Sequence, residues 1–188
     1  MGMRRDNSPS GRNLARSASH VNRKSILARC HKREVAFDEQ HRTRQERYFD
    51  FGPRWHSLNR MHLGVREGLA EIVLDEKFAA DFFSFLIHPA LLDLATGCSL
   101  YLTDGYESSE DLYLPFSYKK MSVYHPIPPR CFSHVRSREE NLLHGESQTF
   151  DITLFDELDQ VLVEIEGFTM RRIDDPSKAA EENLRAPS

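Results

Sequence analysis

The chain has 188 residues, with 25 Lys and Arg against 29 Asp and Glu, and its formal net charge is −4 at pH 7. This length suits one domain with its own core plus some unstructured sequence, and the absence of an apolar run of about 18 residues or of a secretory signal argues against a membrane or secreted protein. The three cysteines lack CxxC spacing and are typical of free thiols in a reducing compartment, so we expect a cytoplasmic protein.

The average charge hides two unlike parts. Residues 1–47 carry 12 Lys and Arg against 5 Asp and Glu, whereas the rest of the chain carries 13 against 24. Because the first part is also poor in apolar residues, the sequence predicts a basic, disordered leader over residues 1–46. Three interpretations stay open: an arm for nucleic acid or anionic lipid, a transit-like leader, and a non-native leader or misplaced start codon. Residues 174–188 predict a polar tail or linker.

The folded middle, residues 47–173, opens with two predicted strands. SLNRMHLG (57–64) and GLAEIVLD (68–75) have the composition of strands, and a short turn that includes Glu67 and Gly68 is expected to join them.

A buried helix is predicted next. EKFAADFFSFLI (76–87) is apolar and partly helical in pattern, and Pro89 suits the first position of a helix. Residues 90–104 are apolar nearly all round, which is typical of a helix buried on most of its circumference. Asp93 lies in the middle of this run, and burial of a lone carboxylate is costly unless it is paired, hydrogen-bonded or protonated.

Further strands follow the helix. Alternating apolar residues and turn residues predict strands over 113–126, 131–140, 147–157 and 160–173. Leu158 and Asp159 are expected to form the hairpin connection between the last two. One long buried helix with an antiparallel sheet predicts an α+β fold. A hot-dog, in which the sheet wraps around the helix, fits this pattern, and so does a cystatin-like or other one-helix sheet.

Five motifs stand in order between residues 49 and 173: FGPRWHSLNRMHLG, IHPALLDLATG, LYLPFSYKKMSVYHPIP, FSHVR and FDITLFDELDQVLVEIEGFTMRRI. In order and approximate spacing they resemble the C-terminal hot-dog half of a polyketide synthase dehydratase domain. The HPALLD and YLPFS motifs are fairly specific, whereas the last motif reads as a generic hairpin when taken alone.

The resemblance implies a function and a site. Such domains are double hot-dogs that remove water from a 3-hydroxyacyl thioester, which a phosphopantetheine arm presents on an acyl carrier protein, and no cofactor is implied. The family's catalytic pair is a His from the first half and an Asp from the second, and the Asp corresponds to Asp93 as general acid. The resemblance also implies that Tyr113, Leu114 and Pro115 border the acyl tunnel. A carboxyl among leucines has a raised pKa, which suits an acid that must stay protonated near neutral pH.

The sequence departs from the family pattern at two points. The family's His stands in an HxxxGxxxxP motif, and none of the nine His of this chain is followed by Gly four residues later. The family usually has Gln or His four residues after the Asp, on the same helix face, whereas this chain has Gly97. Gly97 leaves space beside Asp93 for water or for a wider substrate. His88 is a candidate substitute base or, alternatively, part of the turn into the helix.

Two functions compete at this stage. The first is a dehydratase half-domain, a hydro-lyase whose His comes from elsewhere. The alternative is a non-catalytic hot-dog module that binds acyl chains or scaffolds a synthase. In either case we expect the partner to be a second hot-dog half or a second copy of the chain, since a single half exposes a sheet edge. No metal site is expected, because no His, Cys and acid set has ligand spacing. Nucleic acid is not an expected partner, because the basic arm lacks aromatic interleaving and a known motif. No membrane partner is expected either, because there is no apolar run of about 18 residues.

Overall fold

The computed structural model describes residues 19–38, 43–138 and 144–173. Two α-helices lie within these residues, α1 (Arg23–Arg29) and α2 (Pro89–Gly97). The strands are β1 (Arg33–Ala36), β2 (Leu58–Leu63), β3 (Glu67–Val73), β4 (Leu112–Ser117), β5 (Lys120–Val123), β6 (Arg130–Ser137), β7 (Ser147–Phe155) and β8 (Val161–Ile173). Short 3₁₀ helices cover Arg44–Arg47, Pro53–Trp55, Glu76–Phe83, Cys98–Leu102 and Tyr106–Ser108.

The eight strands form one antiparallel sheet in the order β1-β2-β3-β6-β7-β8-β4, and β5 pairs with β8 as well. Helix α2 packs on one face of this sheet, against β3, β6 and β7. Its Ala90 and Ala95 are completely buried, and the Ser133 hydroxyl of β6 donates a hydrogen bond of 2.7 Å to the Ala95 carbonyl. Small side chains on α2 therefore let the sheet approach closely, and the predicted α+β hot-dog arrangement is confirmed.

Helix α1 covers the opposite face of the sheet. Side chains alternate along a strand, so Ala70 of β3 faces α2 whereas its neighbour Leu69 faces α1. Ile26 and Cys30 of α1 pack there with Leu69 and with a stacked pair of aromatic rings, Phe132 and Phe155. No helix among the described residues is long and apolar enough to cross a membrane.

The prediction of a disordered leader is wrong for residues 19–38, because these residues form α1 and β1. Asn22 caps α1 by accepting a hydrogen bond from the Ser25 amide at 2.9 Å, and β1 pairs with β2 at the edge of the sheet. The prediction is also wrong for residues 43–46, which run into the 3₁₀ helix Arg44–Arg47. The rest of the predicted leader, residues 1–18 and 39–42, and the predicted tail, residues 174–188, lie outside the described residues.

The basic charge of this N-terminal segment is matched by acids of the sheet. Arg29 forms a two-pronged ion pair with Glu67, at 2.7 and 2.9 Å, and Glu67 also accepts from His134 at 2.9 Å. Arg23 lies 3.4 Å from Asp159. The two unlike charge regions of the sequence are therefore partners within one fold, which weakens the case for a nucleic-acid arm in this part of the chain.

Several local predictions need adjustment. The turn between β2 and β3 comes earlier than predicted, with Arg66 at a positive φ of 57°, and Glu67 already belongs to β3. The single strand predicted over 113–126 is two strands, β4 and β5. Pro89 does begin α2, but the α-helix ends at Gly97 and continues as a 3₁₀ helix. The predicted hairpin between β7 and β8 is confirmed, with Asp159 at φ 65°.

Gly64 offers a test of how tightly α1 is attached. A Cβ at Gly64 would lie 2.6 Å from the Arg29 carbonyl oxygen, closer than real contacts allow. We expect Gly64→Ala to lower the free energy of unfolding by about 1–3 kcal/mol, since backbone must shift to relieve the clash. Gly52→Ala is the control, because a Cβ at Gly52 meets nothing within 4 Å. Urea unfolding measures both, and equal effects of the two changes would contradict this packing.

Candidate active site

Asp93 lies in the second turn of α2 and is only partly buried, whereas its neighbours Leu91 and Leu94 lie in the core. Its carboxylate oxygen Oδ2 accepts a hydrogen bond of 2.7 Å from the indole Nε1 of Trp55. The structure thus supplies a neutral donor rather than a cation as the partner of this carboxyl.

Trp55, the single tryptophan of the chain, is held in place by its own local structure. It ends the 3₁₀ helix that Pro53 begins, and its indole stacks on the Phe51 ring with the ring centroids 5.7 Å apart. The Ser57 hydroxyl donates a 2.7 Å hydrogen bond to the Arg54 carbonyl, which ties the end of this helix to β2. These contacts therefore fix the position from which the indole N–H donates to Asp93.

The environment of Asp93 favours its protonated form. Burial raises the pKa of this carboxyl above its ordinary value, and the hydrogen bond from Trp55 offsets part of the increase. A protonated carboxyl keeps one O–H to donate while its other oxygen accepts from the indole. The direction of this shift is the one that a proton-donating carboxyl needs.

A cleft opens beside Asp93 between α2 and the segment that precedes β2. Apolar and aromatic side chains form most of its wall, and the lining residues are Thr43, Gln45, Leu58, Asp93, Leu94, Gly97, Cys98, Tyr101 and Tyr106. Burial raises the pKa of the Cys98 thiol to about 12, so this group stays protonated and serves packing. The free volume of the cleft is about 10 Å³, which is room for about one water molecule or one hydroxyl group.

A larger cavity adjoins this cleft, and Trp55 lines it. The two share Thr43 and Leu58, and the larger one is also lined by Glu46 and His56. His56 Nε2 lies 3.3 Å from a carboxylate oxygen of Glu46. The cavity is the more polar of the two and opens toward solvent, which suits the mouth of a binding site.

His88 is buried and faces away from the cleft. Its Nε2 lies 3.2 Å from Oδ2 of Asp81, and the rings of Phe82 and Phe85 pack on the imidazole with centroids 5.7 Å away. Arg54 binds the same carboxylate through two of its nitrogens, at 2.5 and 3.1 Å. His88 thus belongs to the packing of the turn into α2, and its contacts do not bring it to Asp93.

The other predicted site residues lie at different distances from the cleft. Gly97 does line it beside Asp93. Tyr113 is buried one layer behind, where its hydroxyl donates to the Gly145 carbonyl at 2.8 Å and its ring packs on Tyr106 of the cleft wall. Leu114 and Pro115 follow on β4 and are not among the residues that line the cleft.

Trp55 and Gln45 are two residues of the site that were not predicted from the sequence. A signal for Trp55 was available, because a buried indole N–H usually has a hydrogen-bond partner and FGPRW holds the only tryptophan. Gln45 had no such signal, since it falls in the stretch predicted to be disordered. Within the ranges that the structure describes, no group of three or more His, Cys, Asp or Glu could hold a metal ion.

Comparison with known proteins finds a matching family model and similar polyketide synthases. A family model described as the polyketide synthase dehydratase N-terminal domain matches residues 18–180. Polyketide synthase PksM of Bacillus subtilis (strain 168) is 25% identical over 160 residues, which are 83% of this chain and 4% of that protein. Polyketide synthase PksN of the same organism is 29% identical over 126 residues, which are 67% of this chain and 2% of that protein. The chain therefore spans only a small part of these relatives.

Solved structures share the fold. A trans-AT polyketide synthase dehydratase domain from Brevibacillus brevis superposes with a TM-score of 0.71 at 23% identity, over 85% of this chain and 55% of that one. The dehydratase domain of the CurF module of curacin polyketide synthase gives a TM-score of 0.70 at 24% identity, over 84% and 54% of the two chains. The chain thus spans about half of each dehydratase structure.

The ion pairs around Asp81 predict a dependence of stability on pH. Arg54 and, next, His88 hold the pKa of Asp81 at about 2, below the ordinary value of about 3.9. A carboxyl with a depressed pKa stabilises the fold above its unfolded pKa, and this contribution is lost as the pH falls toward 2. We expect Asp81→Asn to lower the melting temperature at pH 7, with the deficit narrowing below about pH 4.

Thermal melts of wild type and Asp81→Asn over a pH series measure this difference. Asp104→Asn is a suitable control, because Asp104 is exposed. A deficit that stays constant down to pH 2 would contradict the role given to the Asp81 charge.

Proposed function

The chain belongs to the polyketide synthase dehydratase family, and we propose that it is the C-terminal, Asp-bearing hot-dog half of such a domain. In this role it removes water from a 3-hydroxyacyl chain that an acyl carrier protein presents as a thioester on its phosphopantetheine arm. Asp93 is the general acid, and the base is a His from another hot-dog half. The observation that carries the proposal is the partly buried Asp93 carboxyl, held by Trp55 at the wall of an apolar cleft.

The family model is described by an N-terminal domain, whereas our assignment to the second half rests on the motif IHPALLDLATG, which contains Asp93. The coverage of about half of each dehydratase structure supports the view that this chain is one hot-dog of two. The missing half is then either another part of a longer polypeptide or a separate chain.

The chemistry asked of Asp93 is proton donation to a poor leaving group. The base removes the α-proton of the thioester, the electron pair forms the α,β double bond, and the β-hydroxyl leaves as water after it receives the Asp93 proton. Hydroxide is a poor leaving group, so an acid that is still protonated near neutral pH lowers the barrier. Desolvation shifts the pKa of Asp93 in that direction.

The hydrogen bond from Trp55 fixes the orientation of the Asp93 carboxyl. The indole N–H occupies Oδ2, so the acidic proton resides on the other oxygen, Oδ1. The Trp55 hydrogen bond also becomes stronger once Asp93 has given up its proton, which stabilises the carboxylate product. The His returns a proton to solvent, and water reprotonates Asp93 for the next turnover.

A non-catalytic hot-dog module is the second candidate. One observation favours it: none of the nine His of the chain stands in an HxxxG pattern. Such a module would bind the acyl chain in the cleft, or pair with another half, without turnover. Activity with a supplied His-bearing half distinguishes the two candidates.

We expect Asp93→Asn to lower the rate of water elimination by at least about 100-fold, because a positioned general acid contributes roughly that much. The full chain is mixed with a hot-dog half that carries HxxxGxxxxP and with a 3-hydroxyacyl acyl carrier protein, and the loss of water is followed by mass spectrometry. Asn keeps the shape and can still accept from Trp55, so a folding defect is not expected.

Asp104→Asn is the matched control and should retain the wild-type rate, since Asp104 is an exposed residue outside the cleft. Water elimination that persists at the wild-type rate in Asp93→Asn would overturn the general-acid role. A wild-type chain that binds the substrate yet gives no turnover with the His-bearing half would favour the non-catalytic module.

A further inference from the structure

The space beside Gly97 is occupied by an amide from another part of the chain. A Cβ built on Gly97 would lie 3.5 Å from Oε1 and 3.9 Å from Nε2 of Gln45. Gly97 follows Asp93 by one helical turn, so both residues are on the same face of α2, and both line the cleft together with Gln45. The Gln45 amide therefore reaches into the Asp93 cleft at a position where the helix itself provides no side chain.

We infer that Gln45 is a substrate-positioning residue that binds the 3-hydroxyl group of the acyl chain next to Asp93. This inference rests on the proposed function and deepens it, because it names the group that distinguishes a hydroxyacyl substrate from a plain acyl chain. Gly97 contributes because it has no side chain, which leaves room for the Gln45 amide.

Hydrogen bonds to the residues that follow hold the backbone of Gln45 in place. Gln45 belongs to the 3₁₀ helix Arg44–Arg47, and its carbonyl accepts hydrogen bonds of 3.0 Å from the amides of Tyr48 and Phe49. The next residue, Glu46, lines the larger cavity beside Trp55. Two consecutive side chains thus serve the two neighbouring cavities, and the Gln45 side chain is the one directed to the cleft that contains Asp93.

The chemistry of an amide matches the need of the substrate hydroxyl. While Asp93 donates its proton to the hydroxyl oxygen, the hydroxyl's own O–H needs an acceptor, and the Oε1 atom of Gln45 can provide it. That contact would turn a lone pair of the hydroxyl oxygen toward Asp93. Among the described residues that line the cleft, Gln45 carries the only side-chain amide, and most of the others are apolar or aromatic.

The test compares two ligands that differ in one hydroxyl group. A 3-hydroxyacyl pantetheine and the matched saturated acyl pantetheine are titrated by calorimetry into the full wild-type chain and into Gln45→Leu. We expect wild type to prefer the hydroxy ligand by about tenfold, as one hydrogen bond in a desolvated cleft allows. Gln45→Leu should lose that preference and keep its affinity for the saturated ligand within about twofold.

A second variant moves the amide instead of removing it. In Gln45→Ala combined with Gly97→Gln, the amide is carried by α2 and can fill the space that the alanine vacates, so the preference for the hydroxy ligand should return. An unchanged preference in Gln45→Leu, no preference in wild type, or an equal loss for both ligands would overturn the inference. A Gln45-dependent preference without turnover under any pairing would leave the inference standing and remove the catalytic proposal.

Discussion

Burial of α2 is the constraint on which the rest of the structure depends. The helix is apolar on most of its circumference, so both of its sides must be covered. The sheet covers one side, where Ala95 accepts the hydrogen bond from Ser133. The segment that carries Gln45 and Trp55 covers the other side and closes a cleft there. Because Asp93 is on this second side, its carboxyl is partly removed from water, and its pKa rises.

Two carboxyls close in sequence show how the surroundings divide their roles. Asp81 is bound by Arg54 and His88, so its pKa is about 2 and it remains a carboxylate that fixes the turn into α2. Asp93 accepts a hydrogen bond from the indole N–H of Trp55, and burial shifts its pKa in the opposite direction, upward. Arg54 and Trp55 are neighbours in one short helix, so a single turn of backbone sets both environments. The Asp81 carboxylate fixes the turn into α2, and the Asp93 carboxyl lines the cleft.

Local patterns in the sequence predicted the parts of this site that depend on local structure. Pro89 at the start of a helix and the apolar run around Asp93 were enough to predict α2 and the acid that it carries. The Trp55 contact could not be predicted from periodicity, because its partner is 38 positions away in the chain. The N-terminal segment was misjudged for a related reason: α1 buries little more than Ile26 and Cys30 and is held by acids of distant strands, which composition does not reveal.

The state of the Asp93 proton is the quantity on which the catalytic role depends. The most direct measurement is a ¹³C NMR titration of aspartate side-chain carboxyls in the full chain, with the Asp93 signal assigned by its loss in Asp93→Asn. We expect that signal to titrate at a pH clearly above about 3.9, the ordinary value for aspartate. A midpoint at or below that value would show an ionised carboxylate at neutral pH and would contradict the role of Asp93 as a proton donor.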